Sequence, residues 1–230
     1  MPVDLIKYPR THHLEGSGLQ RGDADLAQVP FARLRGAHLV VEEKVDGANV
    51  GISFDPAGRM RLQCRGHFLG GGPREAQFAP LKPWAQTHRD WLHARLGDRR
   101  ILYGEWLYAR HTIFYDALPH YLLEFDVYDR EEGVFLSTDR RRELLDGGPV
   151  RSVPVLHRGV LARPENLVDL VGPSLHRTPA WRERLRDAAE AAGVDPAQAL
   201  RESDPTDLAE GLYVKHEAPD RVLGRFKWVR

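Results

Sequence analysis

The chain holds a single cysteine, Cys64, among its 230 residues, so it cannot close an internal disulfide. That excludes a disulfide-stapled secreted scaffold and fits a reducing cytoplasm. Paired cysteine or cysteine–histidine spacings suited to structural zinc are missing too. No apolar run approaches the roughly 20 residues of a membrane span, and the opening MPVDLIKYPR lacks the apolar stretch of a signal peptide. Net charge is absent: 33 Lys and Arg balance 33 Asp and Glu. This argues against a basic surface that wraps nucleic acid, while leaving room for a local basic site. Internal repeats and low-complexity linkers are also lacking. The run Gly70-Gly71-Gly72 has no Gly-Lys-Ser/Thr ending, so it reads as a flexible loop and not a P-loop.

What is present is β-rich. Leu39 to Lys44 reads as a strand, and Asp46-Gly47 as a hairpin turn after it. Val50, Ile52 and Phe54 alternate with small or polar residues, Asp55-Pro56-Ala57-Gly58 is a second turn, and Met60, Leu62 and Cys64 alternate with Arg59, Arg61, Gln63 and Arg65. The pattern predicts an antiparallel meander with one buried face, Cys64 on its core side. Strands are expected near 101–107, 121–128, 211–216 and 225–229. Helices are expected over 84–96, where Pro80 and Pro83 delay the start, then from a Ser137 or Thr138 cap to Leu145, over 164–171, and from Thr178-Pro179 to just before Gly193. Residues 1–37 are polar and glycine-rich, with turns at 15–18 and at Arg21-Gly22-Asp23. His12-His13 and the arginine run 140–142 read as solvated. Antiparallel strands with helices grouped between them make the fold class α+β.

The chemistry starts at Lys44, followed by Asp46, Gly47 and Asn49. A lysine attacks phosphorus only as the neutral amine, and a reference pKa of about 10.4 leaves little amine at neutral pH. A pocket must therefore lower it through cations, a metal or desolvation. Alone, Lys44 reads more readily as a solvated hairpin lysine.

Further motifs follow in order. They are Arg65, Tyr103-Gly104-Glu105-Trp106, Leu123-Glu124-Phe125-Asp126-Val127, Glu210-Gly211-Leu212-Tyr213-Val214-Lys215 and Arg225-Phe226-Lys227. From about residue 38 to 228 this set resembles the covalent nucleotidyltransferases, the superfamily of ATP-dependent ligases and mRNA capping enzymes. Asn49 stands where DNA ligases usually carry arginine, as in RNA ligases similar to the second bacteriophage class. GTP-using capping enzymes fit Asn49 less well.

The resemblance implies a single nucleotidyltransferase domain over 1–230, built of antiparallel sheets with flanking helices and without a C-terminal accessory domain. It implies an ATP-dependent RNA ligase using ATP and Mg2+ or Mn2+ to join RNA ends in repair. An end-healing kinase or phosphatase would be a partner. Lys44 would form the lysine–AMP phosphoramidate. Asn49, Arg65, Glu105, Phe125, Asp126, Lys215, Arg225 and Lys227 would serve nucleotide binding: Glu105 through a ribose hydroxyl, Phe125 by stacking on adenine, Lys215 and Lys227 facing the triphosphate. Glu210 would position the metal. The alternatives are a DNA ligase, a capping-type guanylyltransferase, and a non-catalytic nucleotide or RNA-end binding module.

Two strand patterns bear on this. Arg225 and Lys227 share one face of their strand, Phe226 and Trp228 the other. Simple alternation instead puts Phe125 opposite Asp126, which is awkward for one small pocket.

Overall fold

Strand alternation in this chain separates an apolar face from a polar one, and the fold uses both. The computed structural model describes residues 4–19 and 27–230; the turn expected at Arg21-Gly22-Asp23 lies outside the described residues. The strands are β1 (His12–His13), β2 (Leu39–Lys44), β3 (Ala48–Phe54), β4 (Met60–Cys64), β5 (Arg100–Trp106), β6 (Leu122–Asp129), β7 (Val134–Phe135), β8 (Arg151–Ser152), β9 (Val155–Gly159), β10 (Gly211–Glu217) and β11 (Val222–Val229). The helices are α1 (Leu81–Thr87), α2 (Arg89–Leu96), α3 (Thr138–Leu145), α4 (Pro164–Val168), α5 (Trp181–Ala191) and α6 (Pro196–Arg201). The class is α+β, as expected. Among the described residues no helix is long and apolar enough to cross a membrane.

Two sheets form. The first has the order β1-β11-β10-β2-β9; the second runs β4-β3-β5-β6-β7, with β8 added beside β6. Pairing is antiparallel except at the two-residue strands β1 and β8. In the first sheet Leu39 and Val41 of β2 join Leu212 and Val214 of β10 in an apolar cluster with Phe31 and Leu34. In the second, Val50, Ile52 and Phe54 pack with Leu81, Leu92 and Leu96 of α1 and α2.

The expected meander is corrected at its first turn. β3 and β4 do form a hairpin, but β2 pairs with β10 and β9 and not with β3. Val45-Asp46-Gly47 is therefore a crossing from one sheet to the other. Gly47 is required by close approach: a Cβ there would stand 2.6 Å from the Trp106 carbonyl oxygen. Asp46 ties the crossing down. Its Oδ2 accepts from the backbone N–H of Thr112 at 2.7 Å, from the Thr112 hydroxyl, and from Ile113 N–H at 3.2 Å.

The helix expected over 84–96 is two helices that break at His88, and it begins earlier, at Leu81. Pro83 is tolerated in the first turn because N–H groups there have no intrahelical acceptor. Ser137 caps α3 through the Arg140 N–H, and Gly193 takes φ +69° past α5. His13 is fully buried, contrary to a solvated reading, with Nδ1 2.7 Å from Ser17 Oγ. The 70–72 loop is fastened: Glu75 accepts from Gly71 N–H at 2.6 Å and Gly70 N–H at 3.3 Å.

Candidate active site

Residues directly opposite in an antiparallel ladder share a face. Glu42 and Lys44 of β2 oppose Tyr213 and Gly211 of β10, which oppose Lys227 and Val229 of β11. Lys215 and Arg225 also oppose each other, two residues along from Tyr213 and Lys227, so they lie on this same face. The face is turned away from the apolar cluster and towards the second sheet. Between the sheets lies a cleft of about 560 Å³. Of the residues singled out from the sequence, it is lined by Lys44, Asn49, Arg65, Glu105, Phe125, Glu210 and Lys227.

Lys44 contacts the Glu210 carboxylate. Burial alone would pull its ammonium down, as expected from the sequence, but the charges of Glu210, Glu105 and Asp46 outweigh burial and the net shift is upward, so the expected lowering does not occur. Glu105, opposite Asn49 in the β3–β5 ladder, accepts from Gly47 N–H at 3.2 Å. Burial pushes its carboxyl up to about 7 against the opposing pull of Lys44. Asn49 Oδ1 is buried without a hydrogen-bond donor among the described residues. Arg65 is exposed, just past the end of β4.

Phe125 reaches the cleft through a bulge that alternation could not foresee. Tyr103 pairs with Asp126 and Gly104 with Glu124, so Phe125 is the extra residue. A bulge re-aims its side chain. The ring packs edge-on against Tyr8, centroids 5.1 Å apart.

Three expected nucleotide contacts sit elsewhere. Asp126 and Lys215 are fully buried outside the cleft lining, and Arg225 is also outside it. Lys215 Nζ is 2.9 Å from both Glu42 Oε2 and Asp126 Oδ1 and donates to the Phe125 carbonyl. Asp126 accepts from the Tyr8 hydroxyl at 2.5 Å. Arg225 lies 3.7 Å over the Phe135 ring and 3.9 Å from Asp126. These charges neutralise one another below the cleft wall. The central residue of the 140–142 run belongs to the same network and is not solvated. Arg141 is fully buried, donating to Glu124 Oε2 at 2.6 Å and to Glu42 Oε1.

Residues to which the sequence pattern assigns no role also line the cleft: Tyr8, Arg10, Thr11, His111, Tyr213 and Cys64. Tyr213 was findable, because it lies two residues from Lys215 and so on its face. Cys64 is half-buried and only partly packed on the core, with Sγ 3.3 Å from His67 Nδ1. The positions of Tyr8, Thr11 and His111 depend on long-range packing and carry no local signal.

A family model of RNA ligases matches residues 37–229. The chain belongs to the RNA ligase family. Its structure is similar to solved forms of Naegleria gruberi RNA ligase. The form with PPi has a TM-score of 0.58 at 18% identity, covering 100% of this chain and 57% of that one. A mutant with ATP and Mn has a TM-score of 0.56 at 18% identity, covering 86% and 51%. At such identities the likeness shows the fold, and this RNA ligase family chain spans about half the length of those enzymes. No curated protein matches it.

Proposed function

We propose that the chain is an ATP-dependent RNA ligase that works through a covalent lysine–AMP. The observation that carries the reading is Lys44 set in the cleft between two carboxylates, with Phe125 on one wall and Arg65 and Lys227 on the rim. Bound ATP presents its α-phosphorus to Nζ. The N–P bond forms as the bond to the bridging oxygen breaks, and pyrophosphate leaves. The amine must first lose a proton, and Glu210 in contact with it, or Glu105 with its raised pKa, can accept one. In-line placement and cancellation of phosphate charge by Lys227 and Arg65 supply most of the rate. AMP then passes to an RNA 5′-phosphate, and a 3′-hydroxyl displaces it as the strand is sealed.

The donor set fits a divalent cation. Among the described residues no three His, Cys, Asp or Glu side chains converge to hold a metal. Mg2+ and Mn2+ at such sites are commonly held by one or two carboxylates together with substrate phosphates. Among the carboxylates that line the cleft, Glu210 would hold the cation. When bound, the cation supplies charge neutralisation at the phosphates. Ends of the required kind come from enzymes that heal broken RNA, so an end-healing kinase or phosphatase is the class of partner proposed, in a cytoplasmic repair setting.

The test is incubation with radiolabelled ATP or GTP plus Mg2+, then denaturing gels. Label retained from ATP, not from GTP, and lost in Lys44→Ala supports the reading. Retention in Lys44→Ala defeats the nucleophile assignment. Sealing is then compared on nicked RNA, nicked DNA and single-stranded RNA; preference for DNA overturns the RNA assignment.

A further inference from the structure

The RNA ligase match begins at residue 37, yet Tyr8 and Thr11 line the cleft. Their segment is held from several sides. The Ile6 carbonyl accepts from the Tyr103 hydroxyl at 2.7 Å and from Gln63 Nε2 at 2.9 Å. β1 pairs with β11 at His12–Phe226 and His13–Lys227, and Leu14 N–H donates to the Lys227 carbonyl at 2.9 Å. Ser17 Oγ accepts from Val229 N–H at 2.8 Å. The segment thus adds an edge to the sheet beside Lys227.

Its side chains meet the wall that carries Phe125. The Tyr8 ring is edge-on to Phe125 and to Tyr103, centroids 5.1 Å apart in both pairs. Its hydroxyl contacts Asp126 and Tyr213 together. Thr11 Oγ1 is 3.1 Å from the same Tyr213 hydroxyl. A hydroxyl relay, Thr11–Tyr213–Tyr8–Asp126, therefore runs from the cleft surface to the buried charges. One end fixes the plane of the Phe125 ring. The other presents a threonine hydroxyl, half-buried, at the same wall.

We propose that this amino-terminal segment completes the nucleobase side of the nucleotide pocket, with Tyr8 as a positioning residue for Phe125 and Thr11 as a direct polar contact to the bound purine nucleotide. The inference rests on the cleft being the ATP site. Aromatic faces stack in a preferred offset geometry, and the Tyr8 edge-on contact sets the plane that Phe125 presents to a base. A threonine hydroxyl both donates and accepts, so it can satisfy a polar atom of the nucleotide while keeping its bond to Tyr213.

The test uses the full chain with Tyr8→Phe, Tyr8→Ala and Thr11→Val. ATP affinity is measured by calorimetric titration, and the KM and maximal rate of Lys44–AMP formation by label transfer. Thr11→Val removes one neutral hydrogen bond and raises the KM about two- to tenfold with little change in maximal rate. Tyr8→Phe keeps the ring but drops the bond to a buried carboxylate, raising the KM about tenfold; Tyr8→Ala raises it further. Loss of thermal stability without a KM change in Tyr8→Phe, together with wild-type KM in Thr11→Val, overturns the inference and leaves the segment structural. If Tyr8→Ala does not fold, the other two variants decide. Absence of ATP binding by the wild-type chain overturns the cleft reading and this inference with it. Normal wild-type binding with unchanged variants overturns this inference alone.

Discussion

Replacing Arg141 by methionine tests whether the buried ion network holds the two sheets together. The guanidinium bridges Glu124 on β6 of the second sheet and Glu42 on β2 of the first, and all three side chains have 0% exposure. The methionine side chain fills most of the volume but leaves two carboxylates. Glu42 keeps Lys215 at 2.9 Å. Among the described residues Glu124 keeps the Ser152 hydroxyl at 2.6 Å and the more distant charge of Lys215, so the penalty falls mainly on it. Removing one partner of a buried pair costs about 3–5 kcal/mol. For a chain of this size that lowers Tm by about 6–20 °C.

The pH dependence gives a second handle on the same variant. Burial already raises the Glu124 carboxyl in the wild type, even with Arg141 opposing it. A carboxyl whose folded pKa is raised binds its proton more tightly in the folded state, so its contribution is fullest at low pH and is lost as pH rises. Without Arg141 the rise is larger, so the Arg141→Met deficit grows from pH 5 to pH 8. Urea denaturation at both values measures it. A deficit below about 1 kcal/mol at pH 8, or one independent of pH, would show that these carboxylates are not held charged in a dry interior.

Other perturbations separate the roles of the cleft residues. Glu210→Gln removes the largest charge that opposes burial at Lys44, so the Lys44 pKa falls relative to wild type; the pH dependence of Lys44 acylation by an amine reagent reads this, and an unchanged midpoint refutes it. In Glu105→Gln the wild-type loss of stability between the unfolded carboxylate range and about 7 disappears. The variant therefore gains urea resistance relative to wild type between pH 5 and pH 8, and a constant difference contradicts the raised pKa. Lys215→Met strips a cation from two buried carboxylates and costs about 3 kcal/mol or more in unfolding experiments. Arg65→Met, at an exposed position, leaves Tm within a few degrees while raising the KM for ATP about tenfold. Equal thermal effects in the two variants contradict the division between network and cleft.

The sequence made individual strands legible because period-two alternation is local. Strand β3, strand β4 and the pair β5–β6 fall within a residue or two of expectation. Alternation says which side chains share a face, but not which strand lies alongside. Hence Asp46-Gly47 has the local pattern of a hairpin turn, although it carries the chain between sheets. The buried role of Arg141 needs β2, β6 and α3 together, and nothing within its own run shows it. α6 is different: Asp195 caps it, accepting from Ala197 N–H at 3.0 Å, and Pro196 opens it. That cap-and-proline signal is local and legible in the sequence.

The arrangement of charge also explains how motif residues can serve a cleft they do not line. Each sheet packs one face on its own apolar cluster, so the facing surfaces carry the polar and charged residues together with an aromatic cluster around Tyr8, Tyr103, Phe125 and Tyr213. Their attachment combines that aromatic cluster with a small apolar floor around Val45, Leu107, Leu123 and Val153 and with the buried ions. Lys215 holds the Phe125 carbonyl, Asp126 holds the Tyr8 hydroxyl, and Arg225 lies against the Tyr8 and Phe135 rings. A change at any of the three displaces the wall before it reaches a nucleotide. Because the ions are dry, their mutual attraction outlasts salt that would screen the exposed Arg65. High ionic strength therefore weakens phosphate contacts at the rim while leaving the geometry of the wall intact.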